Sequence, residues 1–381
     1  MIYLDNAATS WPKPESVYRE MDRFYREFGA NPGRSGHRMA VAAERKIEET
    51  RHLLAKLFNA PAPSRIIFTL NATDALNMAI KGALRPGDHV MTTLIEHNSV
   101  SRPLMGLERS GVSVTRVAPN AEGFVEVEAI AKAIRSETRL IALTHASNVL
   151  GTIQPAREVG RLAREKNILF LLDAAQTAGV LPIDVIADGV DLLAFPGHKS
   201  LLGPMGTGGL YVGERAELSV WREGGTGADS ASPEQPSEMP FRLEAGTPNV
   251  AGIAGLCAGL RFIAEKGVAA ILEHERSLLA MLVEGLRNDK RFALYGSLEV
   301  SRRVPTLALN ISGWDPTEVG TILDQNFGIA VRTGLHCAPS THKVVGAWPT
   351  GSVRLSPGYF NTEADIEQAL TALKQIASAK P

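Results

Sequence analysis

An α/β architecture is the fold class this sequence predicts: a large domain around a mostly parallel, seven-stranded sheet, and a smaller C-terminal α/β domain. Three observations predict it. The chain has 381 residues, too many for one small core. Short apolar segments alternate with helical patterns from Ile66 to Val212, the rhythm of strand–helix–strand units. Several of those segments are continuous runs of Ile, Leu, Val and Phe, which marks strands buried on both faces.

Residues 16–28 place Val17, Met21, Phe24, Tyr25 and Phe28 on one helical face. The loop Asn31-Pro32-Gly33-Arg34-Ser35-Gly36 follows, and a long helical pattern then runs to about Phe58, with Ile47, Leu54 and Leu57 among its apolar positions. The strand candidates are Ile66–Thr69, His89–Thr92, Val112–Val117, Leu140–Thr144, Ile168–Leu172, Leu192–Phe195 and Gly209–Val212. The helix after Gln154 opens with Pro155, a favoured first-turn residue. Residues 224–249, rich in Gly, Ser and Pro, read as a long loop. Helices cover about 250–288, and a second α/β unit follows, with strands near Pro305–Ile311 and Ser352–Leu355. The last helix carries Ile366, Leu370, Leu373 and Ile376 on one face, with Thr362 as its N-cap. The expected division is a large domain over 15–265 and a small one made of 1–14 and 266–381.

Composition excludes several function classes. Hydrophobic residues make up 44%, charged residues 21%, and the formal net charge is -1. Such a balance holds neither a nucleic-acid backbone nor an anionic membrane by bulk electrostatics. No apolar run approaches a membrane span. Met1-Ile2-Tyr3-Leu4-Asp5-Asn6 has neither the basic nor the apolar region of a secretory signal. The two cysteines, Cys257 and Cys337, make no disulfide framework, and a cytoplasmic location is expected. No metal site is expected.

Ligands of an open parallel sheet bind beyond the carboxyl ends of its strands, so chemistry is sought there. After the first strand, Asn71-Ala72-Thr73-Asp74 feeds a helix whose free N–H groups and dipole suit a phosphate. Taken alone, a plain N-cap is the simpler reading. After the second, His97 could stack on a flat ring or move a proton, although a lone histidine there is more often structural. After the fourth, Asn148 offers a donor and an acceptor, or serves as a turn asparagine. Asp173 ends a buried strand, which is costly without a partner; a pyridinium N–H is one such partner, and a helix cap is the rival use. Gln176 stands one turn further on. Lys199 follows the sixth strand, where desolvation beside other cations would free its amine for a covalent link to a carbonyl. His198 could bind phosphate. The Gly203–Gly209 run lacks a Gly-Lys-Ser/Thr ending and suits close backbone packing instead.

In order along the chain stand Asp5-Asn6-Ala7-Ala8, Thr73-Asp74, Glu96-His97, Ser147-Asn148-Val149-Leu150-Gly151-Thr152, Asp173-Ala174-Ala175-Gln176, Gly197-His198-Lys199, Glu244-Ala245-Gly246-Thr247-Pro248-Asn249 and Arg332-Thr333-Gly334-Leu335-His336-Cys337-Ala338. Each motif alone is weak, but the ordered set is specific and spans nearly the whole chain. The sequence resembles the class V aminotransferase family, and within it the cysteine desulfurase and selenocysteine lyase group. The resemblance implies a homodimer of the aspartate-aminotransferase-like fold (fold type I) that uses pyridoxal 5'-phosphate (PLP). It implies that Lys199 links covalently to PLP, Asp173 holds the pyridine nitrogen, Gln176 meets the phenolic oxygen and His97 stacks on the ring. Ala72, Thr73, His198 and, from the other subunit, Thr247 would hold the phosphate. Asn148, Arg332 and Arg354 would hold the substrate carboxylate, for which a planar guanidinium is well shaped.

Cys337 separates the subfamilies. Cys257 reads as a small buried hydrophobe on a packed helix. Cys337 lies in a Gly/Pro-flanked loop beside Arg332, His336 and His342, neighbours that can raise the thiolate fraction of a thiol. In the desulfurases that the chain resembles, a matching cysteine attacks the sulfur of L-cysteine, leaving L-alanine and a persulfide for a sulfur-acceptor protein. The short interval from Cys337 to Arg354 resembles the compact-loop branch. Three positions depart from that pattern: Leu335 replaces a histidine, Pro196 a hydroxyl residue and Ala72 a threonine. The rival readings are a selenocysteine lyase, a class V aminotransferase or epimerase in which Cys337 is a bystander, and a non-catalytic sulfur-carrying adaptor.

Overall fold

The computed structural model describes residues 1–33, 36–227 and 231–379. Arg34 and Ser35 of the first loop, and residues 228–230 of the long one, lie outside the described residues.

All seven expected strands join one sheet, in the order Ile66–Thr69, Gly208–Val212, Leu192–Pro196, Leu169–Asp173, Thr138–Thr144, His89–Thr93, Ser113–Val117. The neighbours from Ser113–Val117 to Leu192–Pro196 pair in parallel. Gly208–Val212 runs antiparallel to both of its neighbours. The continuous apolar runs are explained by two-sided burial. Along one strand, Phe170 and Leu172 enter one apolar cluster while Leu169 and Leu171 enter the other. Leu193 and Phe195 alternate with Leu192 and Ala194 in the same way. A pleated strand sends successive side chains to opposite faces, so both must be apolar when helices cover both. Each buried large side chain contributes about 1.5–3 kcal/mol.

The helices Glu15–Glu27, Arg38–Leu57 and Val250–Lys266 meet through Phe24, Ala43, Ile47, Val250 and Ala254. The described part of 224–249 forms neither helix nor strand. Pro155 is the N-cap of Ala156–Glu165 rather than its first-turn residue, a shift of one position. Thr362 caps Glu363–Ser378 as expected, in a reciprocal capping box with Asp365.

The C-terminal unit holds an antiparallel sheet in the order Arg332–Gly334, Ser352–Leu355, Leu307–Ile311, Phe292–Tyr295. Only the two middle strands were legible in the sequence. Phe292–Tyr295 is apolar but short and partly exposed, and Arg332–Gly334 is short and polar. Ile2–Tyr3 pairs with Ile329–Ala330, and Asp5 bridges to Ser356. The N-terminal arm is thereby tied to the C-terminal unit. No helix among the described residues is long and apolar enough to cross a membrane.

Glu275, on the helix Val268–Leu286, is buried with its Oε2 lacking a hydrogen-bond partner among the described residues. Burial pushes its carboxyl up from 4.5 to about 8, against one backbone hydrogen bond. The folded state therefore holds a proton that the unfolded chain has released. Stability falls as pH rises through that interval and levels off above it. Melting temperatures of Glu275→Gln across the interval should show a flatter decline than wild type, and an unchanged slope would remove this group as a cause.

Candidate active site

A cavity of about 190 Å³ lies beyond the carboxyl ends of the sheet strands. Every site residue expected from the sequence lines it except Cys337 and Thr247. Asp173 is the last residue of its strand, and His198 and Lys199 lie just beyond Leu192–Pro196. His97, Asn148 and the turn at Asn71 occupy the corresponding places after three other strands. One topological rule thus collects side chains from five separate loops.

Lys199 projects into this cavity, and its Nζ has no hydrogen-bond or ion-pair partner among the described residues. Desolvation lowers its amine to about 8, with Arg354 and Arg332 adding to the fall and Asp173 opposing it. Burial raises Asp173, which accepts one hydrogen bond at 2.9 Å from the Ala175 N–H. His97 is the N-cap of Asn98–Glu108, and its Nδ1 accepts from the Ser99 N–H at 3.1 Å. Burial, then Lys199 and Arg332, bring its imidazole down to about 4. A neutral ring whose Nδ1 accepts must carry its proton on Nε2.

The helix Ala72–Ala83 starts at the cavity. Asn71 caps the Asp74 N–H, and the first-turn N–H groups of Ala72 and Thr73 have no acceptor within the helix. Thr73 Oγ1 lies 2.7 Å from Ser99 Oγ. A Cβ on Gly208 would lie 2.7 Å from the Asn71 carbonyl carbon, so the glycine run does serve close packing, here against the turn at Asn71. His198 also lines the cavity; its Nδ1 is buried without a partner among the described residues, and burial and Lys199 bring its ring down to about 4.

Arg354 donates to Asp5 Oδ1 at 2.7 Å and to the Asn148 carbonyl at 3.0 Å, leaving its buried Nε unpaired among the described residues. Asn148 spends its amide on the His336 carbonyl at 2.7 Å. Gln176 donates to the Ala7 carbonyl at 3.1 Å, which ties the N-terminal arm to the cavity wall. Sequence reasoning missed the partner role of Asp5, although Asp5 stood in a quoted motif. It also missed Ser99, and Glu96. Glu96 is fully buried beneath the site, its carboxyl is pushed to about 8 by burial, and it accepts from Thr93 Oγ1 at 2.6 Å and the Thr144 N–H at 3.1 Å. A carboxylate beside His97 at the end of a buried strand was the available signal.

Two expected residues lie apart. Thr247 lines a different cavity, with Arg51, Phe68 and Glu244. Cys337 opens onto a groove of about 720 Å³ that shares Thr73, His97 and Ser99 with the first cavity. Arg332 Nη2 lies 3.5 Å from its Sγ. His336 and His342, expected beside the thiol, bond instead to Ser352 Oγ, at 3.1 and 3.0 Å.

The donor set fits a planar, phosphate-bearing aldehyde. It supplies an unpaired amine, a buried carboxylate, a flat neutral ring, a helix start for an anion and two arginines. It fits PLP on these grounds, with Pro196 and Ala72 leaving more of the phosphate contact to backbone N–H groups.

The class-V aminotransferase family model matches residues 2–369. A probable cysteine desulfurase of Methanothermobacter thermautotrophicus is 38% identical over 384 residues, covering 99% of this chain and 94% of that protein. A cysteine desulfurase of Yersinia pestis is 35% identical over 389 residues, with 99% and 93% covered. Among solved structures, the apo cysteine desulfurase of Thermococcus onnurineus superposes with a TM-score of 0.93 at 33% identity, covering 99% of this chain and 94% of that one. An Escherichia coli cysteine desulfurase gives 0.89 at 31% identity, with 98% and 94% covered.

Proposed function

This chain belongs to the class V aminotransferase family, and we propose that it is a PLP-dependent cysteine desulfurase that converts L-cysteine to L-alanine and leaves a persulfide on Cys337. The observation that carries the reading is the unpartnered Lys199 amine, facing one cavity with Asp173, beside a groove that opens on Cys337. The relatives named cysteine desulfurase, at 33–38% identity over nearly the full length, support it.

PLP, when bound, supplies an electron sink for the pair left at the substrate Cα. Lys199 would hold it covalently, Asp173 would accept from its pyridine N–H, and His97 would cover one ring face. Ala72, Thr73 and His198 would hold its phosphate. Thr247 would join them only from a second subunit, because it lines a separate cavity in its own chain. A homodimer follows from that reading.

Arg354 takes the substrate carboxylate on its fork, exchanging Asp5 for it, with Asn148 and Arg332 alongside. Lys199, at about 8, is neutral in a useful fraction of molecules near neutral pH and removes the Cα proton. Cys337 thiolate then attacks the substrate sulfur. The new S–S bond forms as the Cβ–S bond breaks, Cβ takes a proton in place of the sulfur, and the proton that Lys199 removed is returned to Cα to give alanine. Arg332, at 3.5 Å from Sγ, steadies the attacking anion. The persulfide faces the open groove, where a thiol or a sulfur-acceptor protein removes the sulfur.

The test is chemical trapping. Borohydride reduction of the PLP-loaded protein followed by peptide mapping should fix the cofactor on Lys199; modification of another lysine, or none, contradicts the assignment. Arg354→Lys should raise KM for L-cysteine by about tenfold or more, because an ammonium cannot reproduce the two-point fork. Steady-state kinetics check this, and an unchanged KM would remove Arg354 from substrate binding.

A further inference from the structure

Behind Cys337 the structure holds a hydrogen-bond chain whose direction is determined. His342 Nδ1 lies 3.0 Å from the Ala338 carbonyl, which can only accept, so Nδ1 carries the proton. In a neutral imidazole the other nitrogen, Nε2, is then a bare acceptor. Ser352 Oγ, 3.0 Å from it, must donate its one proton there. His336 Nε2, 3.1 Å from the same Oγ, must therefore donate to Ser352. Both rings are neutral: burial lowers them, His336 to about 2. His336 is 2% exposed, and its Nδ1, a bare acceptor in this arrangement, is buried without a partner among the described residues.

The segment so held is strained. His336 and Cys337 are consecutive non-glycine residues with φ of 48° and 57°, a region that L side chains disfavour. Its carbonyls are clamped as well, His336 by Asn148 Nδ2 at 2.7 Å and Cys337 by the Asn98 N–H at 2.8 Å. Ser352 begins the strand Ser352–Leu355, paired with Gly334, while Arg354 pairs with Arg332 two residues along. One short ladder thus carries the carboxylate-binding arginine, the arginine at the thiol and, through Ser352, the thiol's loop.

We propose that His336, Ser352 and His342 form a one-way hydrogen-bond chain that positions the Cys337 thiol for attack on the substrate sulfur. The proposal deepens the desulfurase reading and rests on Cys337 receiving the sulfur. The chain touches no reacting atom, so these are positioning residues. Removing it loosens the sulfur step while leaving proton removal by Lys199 alone.

Ser352→Ala tests this by a split between two rates. Alanine release from L-cysteine should fall about 10²-fold, the cost of misplacing a reacting group by roughly an ångström. Exchange of the L-alanine Cα proton with deuterated water, which needs Lys199 but no thiol, should stay within about threefold of wild type. His336→Leu should behave like Ser352→Ala, whereas His336→Gln, whose amide nitrogen can donate from the same place, should recover most of the release. Parallel loss of both rates, or release kept within about threefold, overturns the proposal. Should the wild type itself make no alanine from L-cysteine, the desulfurase reading fails. Positioning is then read from iodoacetamide alkylation of Cys337, whose rate should differ from wild type by more than about threefold in Ser352→Ala but not in His336→Gln. Equal rates in all three proteins would overturn it.

Discussion

In Lys199→Ala, alanine release from L-cysteine falls by roughly 10³-fold or more, and borohydride fixes no cofactor at this position. The size of the loss follows from the two roles given to one amine, the covalent link and the Cα base. Lys199→Arg should not rescue, because a guanidinium stays protonated and cannot serve in either role. The same substitution should leave the cofactor-free protein no less stable. Lys199 Nζ has no partner among the described residues and shares its cavity with Arg332 and Arg354, so alanine removes a desolvated, repelled cation. Melting the apo protein checks this: a clear fall in Tm would mean that Lys199 makes a stabilising contact that the geometry does not contain.

Cys337→Ala should cost at least about 10²-fold in alanine release from L-cysteine, near 2.7 kcal/mol of barrier, because no other thiol faces the groove. Cys257 is no substitute: it is fully buried, and burial pushes its thiol to about 11. Exchange of the L-alanine Cα proton should survive in Cys337→Ala, since Lys199, Asp173 and Arg354 remain. If release persisted at the wild-type rate, sulfur would leave without Cys337, and the groove would be only an entrance.

Much of this was legible because the relevant signals are local. Strands buried on both faces must be apolar throughout, so Leu169–Asp173 and Leu192–Pro196 announced themselves, and with them the positions of Asp173 and Lys199. The ordered motifs then named the family. What stayed hidden depends on distant pairing. Nothing around Asp5 says that its carboxylate meets Arg354, since the two are joined only when the N-terminal arm lies beside Ser356. Arg332–Gly334 lacks an apolar run because its neighbour, not its own sequence, makes it a strand, whereas Phe292–Tyr295 is a four-residue apolar run, no different in its own sequence from a short piece of helix. His336 and His342 were placed beside the thiol by proximity in sequence. Both rings bond Ser352 Oγ, and His336 and Cys337 carry left-handed backbones that no sequence pattern announces. Thr247 was expected from the other subunit, and in its own chain it lines a different cavity.

If Cys337 is the sulfur acceptor, sulfur from L-cysteine must appear on its thiol. The most direct test is a single turnover of the PLP-loaded protein with L-cysteine and no reductant, followed by digestion and mass measurement of the peptide that contains Cys337. The peptide should be heavier by one sulfur atom, formed in step with L-alanine and returned to its original mass by a thiol. Alanine formed with Cys337 unmodified and free sulfide in solution would contradict it.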